Sequence, residues 1–187
     1  MNADELKGYI IGATQKPEIL WGGKTIDYIL KDGEINSKYL LKNFGDTYID
    51  SPSVYEPGNI YFYGRGNNAK APTFNDGIIT FNSQGTNSHA FISYPICIGN
   101  GKKLFAHAIA STSTHTTTNS FIQIGFGKLE NSNIQNNLSG LLSKPTYGSQ
   151  GTTSAWIATD ISDDADFMTF WYCDCVYSID EIIVIDV

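Results

Sequence analysis

The sequence predicts an all-β chain: an antiparallel two-sheet β-sandwich of jelly-roll type, preceded by a small β-hairpin segment. Three observations carry that prediction. Aromatic residues make up 13% of the 187 residues and charged residues only 17%, a balance that suits strands better than helical bundles. From Asn59 onward, short apolar runs recur about every 10–15 residues, with turn chemistry rather than amphipathic helices between them. Side-chain alternation is clear in "DFMTFWYCDC", where Thr169, Trp171, Cys173 and Cys175 share one face and Met168, Phe170 and Tyr172 the other.

Residues 1–45 form the hairpin segment. In it "YIIG", "EILWGG", "TIDYIL" and "GEINSKYLL" read as short strands, and the Asp32-Gly33 pair inside "YILKDGEI" predicts a tight hairpin turn. Residues 46–58, which hold Pro52, Pro57 and Gly58, read as a linker. The sandwich itself is predicted over 59–187. Its strands are "NIYFYG", "GIITFNS", "HAFISYPICIG", "KKLFAHAIAS", "SFIQIGFGKL", "SAWIATDI", "DFMTFWYCDC" and "SIDEIIVIDV", the last two as a closing hairpin. "NSNIQNNLSGLL" reads either as a strand or as a loop.

Charge and cysteine usage narrow the function classes. The net charge is −7, and after Lys144 come eight acidic residues with no Lys or Arg, so a phosphate backbone is repelled and nucleic acid is not an expected partner. The opening "MNADELKGYIIGATQ" puts acids where a secretory signal needs bases, so synthesis without export by that route is expected. No run approaches the roughly 18–20 apolar residues of a membrane span. Three cysteines make no disulfide framework, and Cys97, Cys173 and Cys175 read as buried packing thiols.

Few residues look like chemistry. No nucleophile elbow, P-loop or HExxH is present, and the G-x-G of "FYGRGNN" lacks the strand-to-helix context of a phosphate loop. His107, inside an apolar run, reads as a hydrogen-bonded packing residue, and His115 as exposed. "TDISDDADF" gathers Asp160, Asp163, Asp164 and Asp166, which read as a solvated turn, with a cation site or a catalytic carboxylate pair as the sharper alternatives. Sugars present apolar faces that stack on aromatic rings and hydroxyls that seek amides, guanidinium or hydroxyl groups. "IYFYGRGNN" offers Tyr61, Tyr63, Arg65, Asn67 and Asn68 for that purpose, and "KPTYGSQGTTSAW" offers Tyr147 and Gln150. Trp156 and Trp171 read as packing.

The closing "AWIATDISDDADFMTFWYCDCVYSIDEIIVIDV", with its final Ile179-Asp180-Glu181-Ile182, Val184 and Asp186, resembles the last strands of jelly-roll carbohydrate-binding modules. It also resembles related domains of bacteriophage tail proteins. The amino-terminal "GATQKPEILWGGKTIDYILKDGEI" is similar to the hairpin segments of phage and prophage tail or baseplate proteins. The resemblance implies a non-enzymatic receptor-binding component of a virion that recognises a host-surface polysaccharide. Its partners would be other tail proteins, its state a homotrimer whose avidity multiplies weak sugar contacts, and its location outside the producing cell. It also implies a structural calcium ion at Asp186, with Glu56 as the nearest partner acid. The alternatives are a free-standing bacterial carbohydrate-binding or adhesin-like module and a glycan-acting hydrolase.

Overall fold

Two Asp-Gly turns and one buried aspartate organise the architecture. The computed structural model describes residues 24–85, 87–99, 101–112, 120–141, 151–161 and 165–186. Among them the regular structure is all strand, in two sheets packed as a jelly-roll sandwich, and no helix is long and apolar enough to cross a membrane. One sheet has seven strands: β1 (Ile26–Lys31), β2 (Glu34–Ile35), β5 (Lys70–Asn75), β6 (Ile78–Asn82), β8 (Lys102–Thr112), β11 (Gly151–Asp160) and β13 (Val176–Asp186). The other has six: β3 (Tyr48–Asp50), β4 (Ile60–Arg65), β7 (His89–Pro95), β9 (Phe121–Glu130), β10 (Asn133–Leu141) and β12 (Phe167–Cys173), in the order β10-β9-β12-β7-β4-β3. Every pairing is antiparallel except the short parallel ladder of β3 on β4.

The long β13 is the spine of the first sheet. One edge pairs with β8, and the opposite edge is shared end to end, by β6 over Val176–Ile179 and by β1 over Ile182–Ile185. The β1–β2 and β5–β6 hairpins therefore approach from opposite ends and meet tip to tip at the middle of β13. There the ladder to β8 bulges between Ile179 and Glu181. Both tips have left-handed residues at both centres, as a type I′ turn requires: Asp32 and Gly33 (φ 49° and 85°), Asp76 and Gly77 (φ 51° and 74°). β5 was not anticipated, because Pro72 argues against a strand. The ladder absorbs it with a register shift between Lys70 and Thr73 on a strand that pairs only with β6.

Inward residues of both sheets interdigitate in one core. Met168, Phe170 and Tyr172 of β12 meet Phe81 of β6 and Tyr94 of β7, with the Phe81 ring 4.9 Å from Phe170 and 5.1 Å from Tyr172. A smaller apolar cluster of Phe105, Trp156, Ile183 and Ile185 lies apart from it on the seven-stranded sheet. Trp156 is thus a packing residue, as expected.

The hairpin segment, for which the sequence leaves open whether it folds alone or docks on the sandwich, pairs into the sandwich over its described residues 24–45. β1 completes the sheet beside β13, and Leu30, Tyr39, Leu40 and Phe44 are members of the main core. The Asp32-Gly33 hairpin is present within that arrangement. Residues 1–23 lie outside the described ones. A polar clasp fixes the connection after β2: the Asp27 carboxylate accepts from the Tyr39 hydroxyl (2.7 Å), the Lys38 ammonium (3.2 Å), the Asn36 amide (3.2 Å) and the Tyr28 N–H (2.9 Å). Burial pushes the Asp27 pKa up, but the bonds from Tyr39, Tyr28 and Lys38 outweigh it and hold it below the usual carboxylate range. A depressed folded pKa adds stability above the unfolded value of about 4 and loses it as the pH falls through the folded one. Asp27→Asn is therefore expected to destabilise at about pH 6 and progressively less as the pH falls below the unfolded value, which urea denaturation across that range will show.

The closing stretch is not a hairpin. β12 belongs to the six-stranded sheet and β13 to the seven-stranded one, and the chain passes between them through Asp174 and Cys175. Cys173 and Cys175 consequently do not share a strand face. Both are buried as expected, whereas Cys97 is exposed, because it follows β7 in the loop toward β8. Burial pushes the Cys175 thiol well above its ordinary pKa and leaves it protonated and inert.

Candidate functional site

The outward face of the six-stranded sheet collects the residues with binding chemistry. Alternation turns Ile60 and Phe62 of β4 into the core and leaves Tyr61, Tyr63 and Arg65 on the other side. Strand register then fixes their neighbours. Tyr61 lies opposite Ser93 and Tyr63 opposite Phe91 on β7, and these lie opposite Thr169 and Trp171 on β12. The next strand, β9, continues the two rows with Gly125 and Gln123. One row is therefore small or hydroxylic at its centre, with the Ser93 and Thr169 hydroxyls 2.8 Å apart. The adjacent row is aromatic. Phe91 and Trp171 are stacked at 5.2 Å with planes 12° apart, and Phe121 meets Trp171 edge-on at 4.7 Å. Trp171 is thus packed, as expected, but on the outside of its sheet.

The loop from β3 to β4 crosses this face. Its Tyr55 N–H donates to the Ser132 carbonyl in the β9–β10 turn (3.1 Å), and the Tyr55 ring meets Tyr61 edge-on at 4.7 Å. The Tyr61 hydroxyl accepts from the Glu56 N–H (2.5 Å) and donates to the Glu56 carbonyl (2.9 Å), so the strap is held at two points. Between strap and sheet lies a cleft of about 290 Å³, near the small end of ligand sites, lined by Tyr55, Tyr61, Phe62, Tyr63, Phe91, Ser93 and Ile134. Burial, and then the neighbouring phenols of Tyr61 and Tyr63, push the Tyr55 pKa up. Tyr55 thus remains a neutral hydrogen-bond donor at every physiological pH. Tyr63 is 46% exposed and presents its ring to solvent. Among the described residues, no Asp, Glu, His, Lys or Cys lines the cleft.

The residues expected from the sequence are distributed around this cleft. Tyr63 lines it, and Arg65 follows on the same face of β4. Asn67 and Asn68 lie in the exposed turn after that strand, with the Asn68 N–H on the Ser88 hydroxyl (3.2 Å). Tyr147 and Gln150 lie outside the described residues, as do His115, Asp163 and Asp164. Asp160 pairs with Lys103 (2.8 Å) and Asp166 accepts from the Leu129 N–H (2.7 Å). His107, half-buried, bonds Asp180 at 2.6 Å beside the Trp156 ring. The calcium expectation rested on Glu56 and Asp186. Glu56 precedes β4 in one sheet, and Asp186 ends β13 in the other and pairs with the Lys102 ammonium. Among the described residues no three His, Cys, Asp or Glu side chains gather for a cation.

Tyr55, Phe91, Ser93 and Ile134 were missed. Tyr55 sits in the stretch taken as linker, and the others become neighbours of Tyr63 only through strand pairing. Alternation in "HAFISYP" was the one usable signal, since it puts Phe91 and Ser93 on a common face.

No family model matches the chain, and no curated protein matches it. Among solved structures the likenesses are to sugar-binding and adhesin sandwiches. The xylan-binding CBM22-1 domain of Paenibacillus barcinonensis Xyn10C aligns over 87% of this chain and 96% of its own, at 8% identity and a TM-score of 0.46. The K1 cleaved adhesin domain of Lys-gingipain from Porphyromonas gingivalis aligns over 87% and 98%, at 10% identity and 0.41. The CBM22-1-GH10 modules of Clostridium thermocellum xylanase 10B align over 60% of this chain at 11% identity and 0.40, and the alignment spans only 22% of that longer chain. At these values none of the three places the chain in a family.

Proposed function

We propose that the chain is a non-catalytic carbohydrate-binding module that holds a glycan at the cleft under the 51–59 strap. The observation that carries this reading is the lining itself: five aromatic rings and neutral hydroxyl groups, with no Asp, Glu, His, Lys or Cys among the described lining residues. Aromatic faces desolvate the C–H face of a sugar ring, and Tyr and Ser hydroxyls exchange hydrogen bonds with its hydroxyls. Glycosidic cleavage ordinarily uses two carboxyl groups flanking the bond, and the described lining of this cleft offers none.

The free-standing module is the better form of the reading. Attachment to a phage-type particle, tail-protein partners and a trimeric state draw support from neither the geometry nor the comparisons. Glycan arrays followed by calorimetry test the proposal. Tyr63→Ala is expected to weaken binding about tenfold while the melting temperature holds, because the ring is largely exposed. Absence of binding to any glycan, or unchanged affinity in Tyr63→Ala, would sink it.

A further inference from the structure

We infer that the glycan taken by this cleft carries carboxylate groups, and that Arg65 selects for them; this rests on the binding reading above. Arg65 is the single arginine in a chain of net charge −7. It stands on the same face of β4 as Tyr63, two residues and about 7 Å further along the strand. Lys38 pairs with Asp27, Lys102 with Asp186, Lys103 with Asp160 and Lys128 with Glu130. Arg65 is exposed and, among the described residues, forms no ion pair with a carboxylate.

The surroundings of Arg65 are equally selective. Among the described residues, the outward positions of β4, β7, β9 and β12 carry no Asp or Glu. Its lateral neighbour is His89, which is neutral or positive. The turn that presents it is fixed by Gly66, at φ 94°, where a Cβ would lie 2.8 Å from both the Asn87 carbonyl and the Ser88 hydroxyl. Asn67 and Asn68 in the same turn add neutral amide groups. A guanidinium offers parallel N–H bonds to a planar carboxylate, a geometry that an ammonium cannot match. A uronic-acid chain stacked on Tyr63 would bring its next carboxylate over Arg65.

Calorimetric titration of the full chain with polygalacturonate, with a neutral galactan and with a sulfated galactan tests this. The expected result is affinity at least about tenfold higher for the uronate chain than for the other two. Arg65→Gln should erase that preference while leaving the neutral galactan unchanged, and Arg65→Lys should restore it only in part. Equal affinities, a preference for the sulfated chain, or a preference that survives Arg65→Gln would overturn the inference and leave the binding reading standing, provided Tyr63→Ala still weakens binding. If none of the three is bound and the array is also blank, both readings fall together.

Discussion

Gly77→Ala is expected to lower the stability of the sandwich by about 2–4 kcal/mol. Two costs add. Alanine at a left-handed φ of 74° pays a conformational penalty of about 1–2 kcal/mol. Its methyl group would also fall inside contact distance of the Gly33 Cα, at the point where the two hairpin tips abut on β13. That neighbour is backbone within a tight turn and cannot rotate away, so one hairpin must shift along β13 or peel from it. The reverse substitution makes the argument sharp. A Cβ at Gly33 meets the Gly77 Cα at 3.7 Å, an ordinary contact, so Gly33→Ala carries only the conformational cost of about 1–2 kcal/mol. Urea denaturation of the two variants measures the asymmetry. Equal losses would show that the tips do not touch in solution.

Asp174→Ala is expected to cost about 2–4 kcal/mol, for a different reason. Asp174 is 1% exposed and occupies the bend at which the chain leaves the six-stranded sheet for the seven-stranded one. Its carboxylate accepts from the Ser88 N–H (2.7 Å), its N–H donates to the Ser88 carbonyl (2.8 Å), and its carbonyl accepts from the Ser120 hydroxyl (2.8 Å). Its φ of 48° is one that Asp and Asn tolerate better than alanine. Alanine leaves the buried Ser88 N–H without its acceptor and adds the conformational cost. Asn keeps both the acceptor and the tolerance, so Asp174→Asn should lose no more than about 1 kcal/mol. Comparable losses in the two variants would mean that the bond to Ser88 is not what holds the bend. The bend matters to the site because β12, which ends at it, carries Thr169 and Trp171 onto the binding face.

The comparison of these two positions with the rest of the chain separates local from tertiary information. Alternation and turn chemistry were sufficient to find β1, β4, β6, β7, β8, β9, β11, β12 and β13, because each is long enough for its side-chain period to show. The Asp32-Gly33 turn was legible for the same reason: its φ values admit few residue pairs. The same signal stands at Asp76-Gly77, where β5, with Pro72 within it, was not read as a strand. The three-residue β3 is too short to carry a period at all.

Pairing partners were beyond local reach. "FMTFWYCDCVYSIDEIIVID" looks like a hairpin because two strands are separated by two residues, yet the sheets diverge there. Only Ser88 and Ser120, distant in sequence, decide the direction of the bend. The candidate site divides in the same way. Tyr63, Arg65, Asn67 and Asn68 were visible as an aromatic, basic and amide cluster within nine residues, "IYFYGRGNN". The cleft that gives Tyr63 its meaning depends on Phe91 and Ser93 from the neighbouring strand, Ile134 from β10 and Tyr55 from a strap tied down at Ser132 and at the Tyr61 hydroxyl. By itself, the sequence determined the class of fold, most of its strands and the chemistry available on β4. The tertiary structure decided which strands are neighbours, that residues 24–45 belong to the sandwich, and that the linker is one wall of the cleft. The physical reason is that side-chain period and turn geometry are properties of a few adjacent residues. Strand neighbours are chosen by the burial of both sheets at once.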